Sequence, residues 1–163
     1  GERRFLRGVL CHNPPLSGFS LEVLMDIELA RANMIESQIR TWDVLDPRVL
    51  DALESLRREH FVPDAHRDLA FADLEIPLGH GQVMLPPKLE ARLAQELGLS
   101  ATDRVLEVGT GSGFQAALLS RLSARVTSVE ILPELAQAAR ARLAREGITN
   151  VTVEEGNAAE GWE

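Results

Sequence analysis

The chain has 163 residues, of which 45% are hydrophobic and 26% charged, with a formal net charge of -8. This is the balance of an ordinary globular chain able to bury one core; without a basic run to neutralise phosphates it excludes a broad nucleic-acid footprint, though not a base as substrate. No hydrophobic stretch approaches the roughly twenty residues needed to cross a bilayer, and no histidine and cysteine cluster has metal-ligand spacing, so a cytoplasmic location with no membrane, nucleic-acid or metal partner is the expectation.

Residues 1–24, with Asn13, Pro14, Pro15, Ser17 and Gly18, carry neither helical nor strand periodicity and read as an unstructured leader or an overlong start. The apolar piece from Phe5 to Leu10 is too short for a signal h-region, and Cys11 is the single cysteine, so no intrachain disulfide can form. Patterned sequence begins at Met25. Leu29, Met34, Ile35 and Ile39 suggest a helix up to Arg40. A cleaner one runs from Asp46 to Leu56: Asp46 is its N-cap, Pro47 its first residue, and Leu50, Leu53 and Leu56 repeat at core spacing. Phe61, Val62 and Pro63 break it. Residues 25–84 are thus expected to form a small helical cap with a substrate loop, lying over the substrate rather than the cofactor. After Pro86 and Pro87, Leu85, Leu89, Leu93 and Leu97 line one face of a further helix, expected to pack on a sheet. Residues 85–163 are read as the N-terminal part of an α/β cofactor-binding domain.

The run from Arg104 to Phe114 is the most informative. A buried apolar strand ends in Gly109, Gly111 and Gly113, and a helix follows from Phe114 to Leu122. A dinucleotide fingerprint wants its third glycine three residues after the second, where this chain has Phe114. The spacing therefore argues against a nicotinamide cofactor and for the tighter Gly-x-Gly-x-Gly loop of S-adenosylmethionine enzymes. Glu107, just before the loop, is a carboxylate that can accept from the methionyl ammonium. A second strand closes on Glu130, roughly twenty positions after the first glycine, as expected of an acid that binds two ribose hydroxyls. Pro133 then opens a helix with Leu135, Ala138, Ala139 and Leu143 as its buried stripe, and Gly147 ends it. A third strand from Asn150 finishes at Gly156 and Asn157, whose amide can meet the adenine edge, although Gly-Asn is also an ordinary turn signal. Strand, helix, strand, helix, strand implies a parallel, Rossmann-like α/β sheet with its ligand crevice at the carboxyl ends of the strands. No fourth strand covers the open side of the first, so these residues are expected to be the front part of a longer protein, with weak or absent turnover by themselves.

Several of these pieces, in this order, resemble the protein-L-isoaspartate O-methyltransferases: Asn33, Met34 and Ile35 with Gln38 and Ile39; Arg58 to Pro63; Ile76 to Gln82; Val105 to Gly113; Ser128, Val129 and Glu130; and Gly161 with Trp162. The resemblance implies an α/β, Rossmann-like S-adenosylmethionine methyltransferase sheet, of which only the first part is present, preceded by the helical cap. It also implies methyl transfer to the free carboxylate of L-isoaspartyl residues in damaged proteins or peptides, a repair reaction. Glu107, Gly109, Thr110, Gly111, Ser112, Gly113, Glu130, Ile131, Gly156 and Asn157 would hold the cofactor, and Gly79, His80, Gly81 and Gln82 the substrate. The chain departs from the family at two places. Val83, Met84 and Leu85 stand where it has Thr-Ile-Ser, so Leu85 lacks the hydroxyl beside the reacting carboxylate; Asn157 stands where an acid is usual. A related methyltransferase with another substrate, or a non-catalytic cofactor-binding module, therefore stays open; a nicotinamide oxidoreductase trails because of Phe114.

Overall fold

The computed structural model describes residues 26–162; the proposed leader and Cys11 lie outside them. Residues 26–34 form helix α1, which widens into a π turn at Ile35–Ile39, tightens into a 3-10 turn at Arg40–Trp42, and stops at Asp43 in the left-handed region. Its inner face is Met34, Ile35 and Ile39. Leu29 is a correction: it is 61% exposed, and Arg31 occupies the buried turn instead, its guanidinium paired with both oxygens of Glu59 at 2.8 and 3.0 Å.

Helix α2 is Pro47–Ser55, and the Asp46 carboxylate accepts from the Arg48 N–H at 2.9 Å, as an N-cap should. The leucine triplet is buried as expected. The helix ends well before Phe61, because Leu56 already adopts an extended backbone that turns its side chain into the core. Two 3-10 turns, Arg58–His60 and Asp64–Leu69, lead to an antiparallel hairpin of β1, Ile76–Gly79, and β2, Gln82–Met84. Its tip needs left-handed backbone at Gly79, His80 and Gly81, which explains the flanking glycines.

Helix α3, Pro87–Glu96, buries Pro87, Glu90, Ala91 and Ala94. The anticipated leucine stripe is not its packed face. Leu93 and Leu97 are 44% and 54% exposed, since α3 docks on its neighbours through small side chains and the Glu90 ion pair. The sheet follows: β3, Arg104–Val108; α4, Phe114–Leu122; β4, Arg125–Glu130; α5, Pro133–Arg145; and β5, Val151–Glu155. The strands lie in the order β3-β4-β5 with β4 central, and both pairings are parallel. On α5, Ala136 replaces Ala138 in the buried stripe, beside Leu135, Ala139 and Leu143. Gly147, at a φ of 66°, closes that helix with its N–H on the Ala144 carbonyl.

The proposed cap is not a separate body. α2 and α3 pack against α4, and one continuous core runs from Met34 and Leu53 through Phe61 and Phe114 to Val126. Phe61 meets Phe114 edge to face, with centroids 5.5 Å apart, a geometry worth about 0.5–1.5 kcal/mol beyond the area buried. The reason is compositional: α2 carries a full apolar stripe, and only the helix layer of the sheet offers enough surface to cover it.

Candidate functional site

Parallel strands present their carboxyl ends on one edge of the sheet, and here these ends bear Val108, Glu130 and Glu155. The loop from Gly109 to Gly113 leaves β3 at that edge. Gly109 has a φ of 92° with nothing within 4 Å of where a side chain would start, so its backbone stands open to a ligand. Gly113, at 87°, has another purpose: a Cβ there would sit 3.2 Å from Ala139, so its bareness lets α5 approach the start of α4. It lines neither cavity described below.

Glu130 is 5% exposed, and its two oxygens accept separate backbone N–H groups, Gly111 at 2.9 Å and Leu132 at 3.0 Å. A carboxylate has about four lone-pair positions, so this leaves acceptor capacity at the strand end. Thr110 and Ser112 are buried, with hydroxyls turned to protein partners: Thr110 Oγ1 lies 2.6 Å from Ser128 Oγ, and Ser112 Oγ accepts from the Phe114 N–H at 3.1 Å. Ser128 in turn donates to Glu107. Burial pushes the Glu107 carboxyl up to about 7; the Ser128 hydrogen bond opposes this, and the negative charges of Glu90 and Glu130 reinforce it.

Two adjoining cavities flank the loop. One, of about 460 Å³, is bordered by Glu107, Thr110 and Ser112 together with Leu85 and Leu93. The other, of about 320 Å³, is bordered by Glu130, Ile131, Gly156 and Asn157, with Gln82 above. Gly109, Gly111, Val83 and Val108 border both. The Asn157 side-chain oxygen caps the turn Ala158–Glu160 by accepting from Ala159 at 3.0 Å, and its amide nitrogen takes no part in that cap.

The hairpin overhangs this edge, and Leu78 touches the loop so closely that a Cβ on Gly111 would lie 3.3 Å from its methyl group. Of the four expected substrate residues, only Gln82 borders either of these two cavities; Gly79, His80 and Gly81 form an exposed tip. The left-handed turn at Gly79, His80 and Gly81 lies at the far end of the hairpin, so the strand residue Gln82 reaches the cavity and the tip does not. Leu85 borders the larger cavity, and its carbonyl accepts from Arg58 at 2.7 Å. Arg58, 1% exposed, also donates to the Ala70 carbonyl at 2.8 Å, pairs with Glu90, and lies 4.8 Å from the Phe114 ring centroid. Burial pushes Glu90 up to about 7 against the pull of Arg58. Ser128, Arg58 and Glu90 were missed as site residues. Ser128 was findable, because it stands two residues before Glu130 on one strand and so shares its face. Among the described residues, no group of three or more His, Cys, Asp or Glu is placed to hold a metal, and no helix is long and apolar enough to cross a membrane.

A family model described as protein-L-isoaspartate(D-aspartate) O-methyltransferase matches residues 30–163. A Myxococcus xanthus protein-L-isoaspartate O-methyltransferase is 50% identical over 119 residues, 73% of this chain and 56% of that protein. One from Methanoculleus marisnigri is 44% identical over 132 residues, 81% of this chain and 60% of that protein. The chain thus spans little more than half the length of these relatives. A solved structure of a protein-L-isoaspartate O-methyltransferase superposes with a TM-score of 0.68 at 26% identity, covering 78% of this chain and 42% of that one. A Plasmodium falciparum structure solved with S-adenosyl-L-homocysteine gives 0.63 at 17% identity over 80% of this chain and 63% of its own, and shares the fold.

Proposed function

This chain belongs to the protein-L-isoaspartate(D-aspartate) O-methyltransferase family, and we propose that it supplies the cofactor-binding half of an enzyme that moves a methyl group from S-adenosylmethionine to the free carboxylate of L-isoaspartyl residues in damaged proteins. One observation carries the reading. The open backbone of Gly109, the carboxylate of Glu130 and the carboxylate of Glu107 line adjoining cavities at the carboxyl ends of parallel strands. This is the place where nucleosides bind in such sheets.

The residues fit the cofactor. Gly109 and Gly111 let its nucleoside approach the main chain, Glu130 offers acceptors to ribose hydroxyls, and exposed Ile131 offers an apolar flank. Asn157 keeps an amide nitrogen for the adenine, and Glu107 presents a buried acceptor for an ammonium. When bound, the cofactor would supply a methyl group on a sulfonium, already primed for transfer. An isoaspartyl carboxylate is ionised at neutral pH, so no side chain has to remove a proton. What the protein contributes is alignment, which can be worth roughly 7–11 kcal/mol. Gln82 and Val83 of the hairpin border the cavity beside the loop, where an acceptor could be held against them. His80, exposed at the tip, has no part in the chemistry. The reading places the protein in the cytoplasm with isoaspartyl proteins or peptides as partners.

The test is methyl incorporation from labelled donor into an isoaspartyl peptide and its aspartyl twin, using the full protein. Labelling confined to the isoaspartyl peptide is expected; equal labelling overturns the substrate. A second reading, methylation of another acceptor, is favoured by one observation: apolar Leu85 borders the cavity that the family serine would serve.

A further inference from the structure

Three consecutive residues of the glycine loop are tied to three consecutive residues of β4. The Gly109 N–H reaches the Val129 carbonyl at 2.8 Å, Thr110 Oγ1 reaches Ser128 Oγ at 2.6 Å, and the Gly111 N–H reaches Glu130 at 2.9 Å. Ser128 differs from the other two anchors because it also donates to Glu107 and is 0% exposed. A hydroxyl has one proton to give. With Glu107 ionised, the carboxylate can only accept, so the Ser128 proton points to it and Thr110 must donate to Ser128. The result is a directed chain, Thr110 to Ser128 to Glu107, joining the middle of the loop to the carboxylate before it.

We propose that Ser128 is a positioning residue for the methyl donor, acting through Glu107: it aims the carboxylate, thereby governing affinity for the amino-acid end of the cofactor and not for its nucleoside. This deepens the cofactor assignment above and rests on it. The electrostatics agree. The charged groups facing Glu107 are Glu90 of α3, paired with Arg58, and Glu130 of β4, and both carboxylates oppose its ionisation. The Ser128 hydrogen bond favours the ionised form against burial. An arriving ammonium would complete what Ser128 begins.

Calorimetry with two probes separates the ends of the ligand: S-adenosylhomocysteine carries the amino-acid portion, and 5'-methylthioadenosine lacks it. Ser128→Ala is expected to weaken S-adenosylhomocysteine by about tenfold or more, the loss typical of a hydrogen bond to a charged group. The thioadenosine should stay within about twofold, which also shows that the variant is folded. In a Glu107→Gln background, the same Ser128→Ala change should cost S-adenosylhomocysteine nothing further. The S-adenosylhomocysteine affinity of the parent should fall as pH drops below about 7, where Glu107 takes up a proton. Ser128→Ala should move that midpoint upward, while the thioadenosine curve stays flat. Equal losses for both probes, an undiminished loss in the Glu107→Gln background, or no loss at all would overturn the proposal and leave the cofactor assignment standing. No binding of S-adenosylhomocysteine by the parent would overturn that assignment itself.

Discussion

Replacing Arg58 by leucine removes a buried cation from the helix layer next to the site. Arg58 is 1% exposed and Glu90 2%, so the variant leaves a carboxylate without its partner in the core, and the carbonyls of Ala70 and Leu85 lose their donor. Breaking such a pair from one side costs about 3–5 kcal/mol. For a chain of this length each kcal/mol lowers the melting temperature by roughly 2–4 °C, so a fall of about 6–20 °C is expected. The pH dependence follows from Glu90. Its folded-state pKa, raised to about 7 from 4.5, means the folded chain holds a proton more tightly than the unfolded one. Stability therefore declines as pH rises from the unfolded value to the folded one and levels off above it. Without Arg58 the carboxyl is pushed higher still, so the decline continues past neutrality, at up to about 1.4 kcal/mol per pH unit. Thermal unfolding followed by circular dichroism at pH 6 and 8.5 should show the gap between parent and variant widening at the higher pH. The double change Arg58→Met with Glu90→Leu should recover most of the loss, because an apolar pair needs no compensation. A gap that is the same at both pH values, or a melting temperature lowered by less than a few degrees, would refute the reasoning.

Leu85→Ser restores the family hydroxyl beside the larger cavity, and methylation of an isoaspartyl peptide by the full protein should rise by about tenfold or more, the return on a hydrogen bond to a charged group; an unchanged rate would remove Leu85 from the reacting carboxylate. Gly109→Ala meets no neighbour, so its cost in stability should be about the 1–2 kcal/mol of a left-handed non-glycine residue, but its methyl group stands where the nucleoside approaches and S-adenosylhomocysteine binding should be lost in calorimetry. Gly113→Ala should be worse for melting temperature than Gly109→Ala, since its Cβ also crowds Ala139. Asp46→Ala removes the N-cap of α2 and should lower stability by about 1 kcal/mol in chemical denaturation, with S-adenosylhomocysteine affinity unchanged because α2 borders neither cavity.

The strands, the glycine loop and the acid at the end of β4 were legible because each is encoded locally: a short apolar run, a turn that only glycine can make, a charge at fixed distance. The α3 stripe was not. Leu89, Leu93 and Leu97 repeat at helical spacing, yet the packed face is Pro87, Ala91 and Ala94 with Glu90. Periodicity reports which residues share a face, and which face is buried depends on the partner across the interface. Here the partner is Arg58, thirty-two residues away from Glu90 in sequence, and a buried ion pair leaves no periodic signal. The hairpin was likewise visible as glycines around His80, but that its shaft, not its tip, faces the site depends on strand register.

The charges around the site argue for the kind of ligand it takes. Glu107, Glu130 and Glu90 lie close enough to raise the first of them, and the buried cation Arg58 is already committed to Glu90. An anionic group brought here would meet repulsion in a low-dielectric setting, which disfavours the pyrophosphate of a dinucleotide independently of the glycine spacing. A cation is drawn in, and a sulfonium nucleoside carries net positive charge at neutral pH, because its ammonium and carboxylate cancel and the sulfonium remains. The field has a second consequence. It holds a positively charged donor more firmly than the neutral thioether left after transfer, so it contributes to ground-state binding and to product release and does not lower the barrier to methyl transfer. In the proposed reaction the barrier would instead be lowered by alignment of the acceptor under the hairpin, so Leu85→Ser, which leaves the charges untouched, is expected to move the rate, while changes at Glu107 and Ser128 are expected to move affinity.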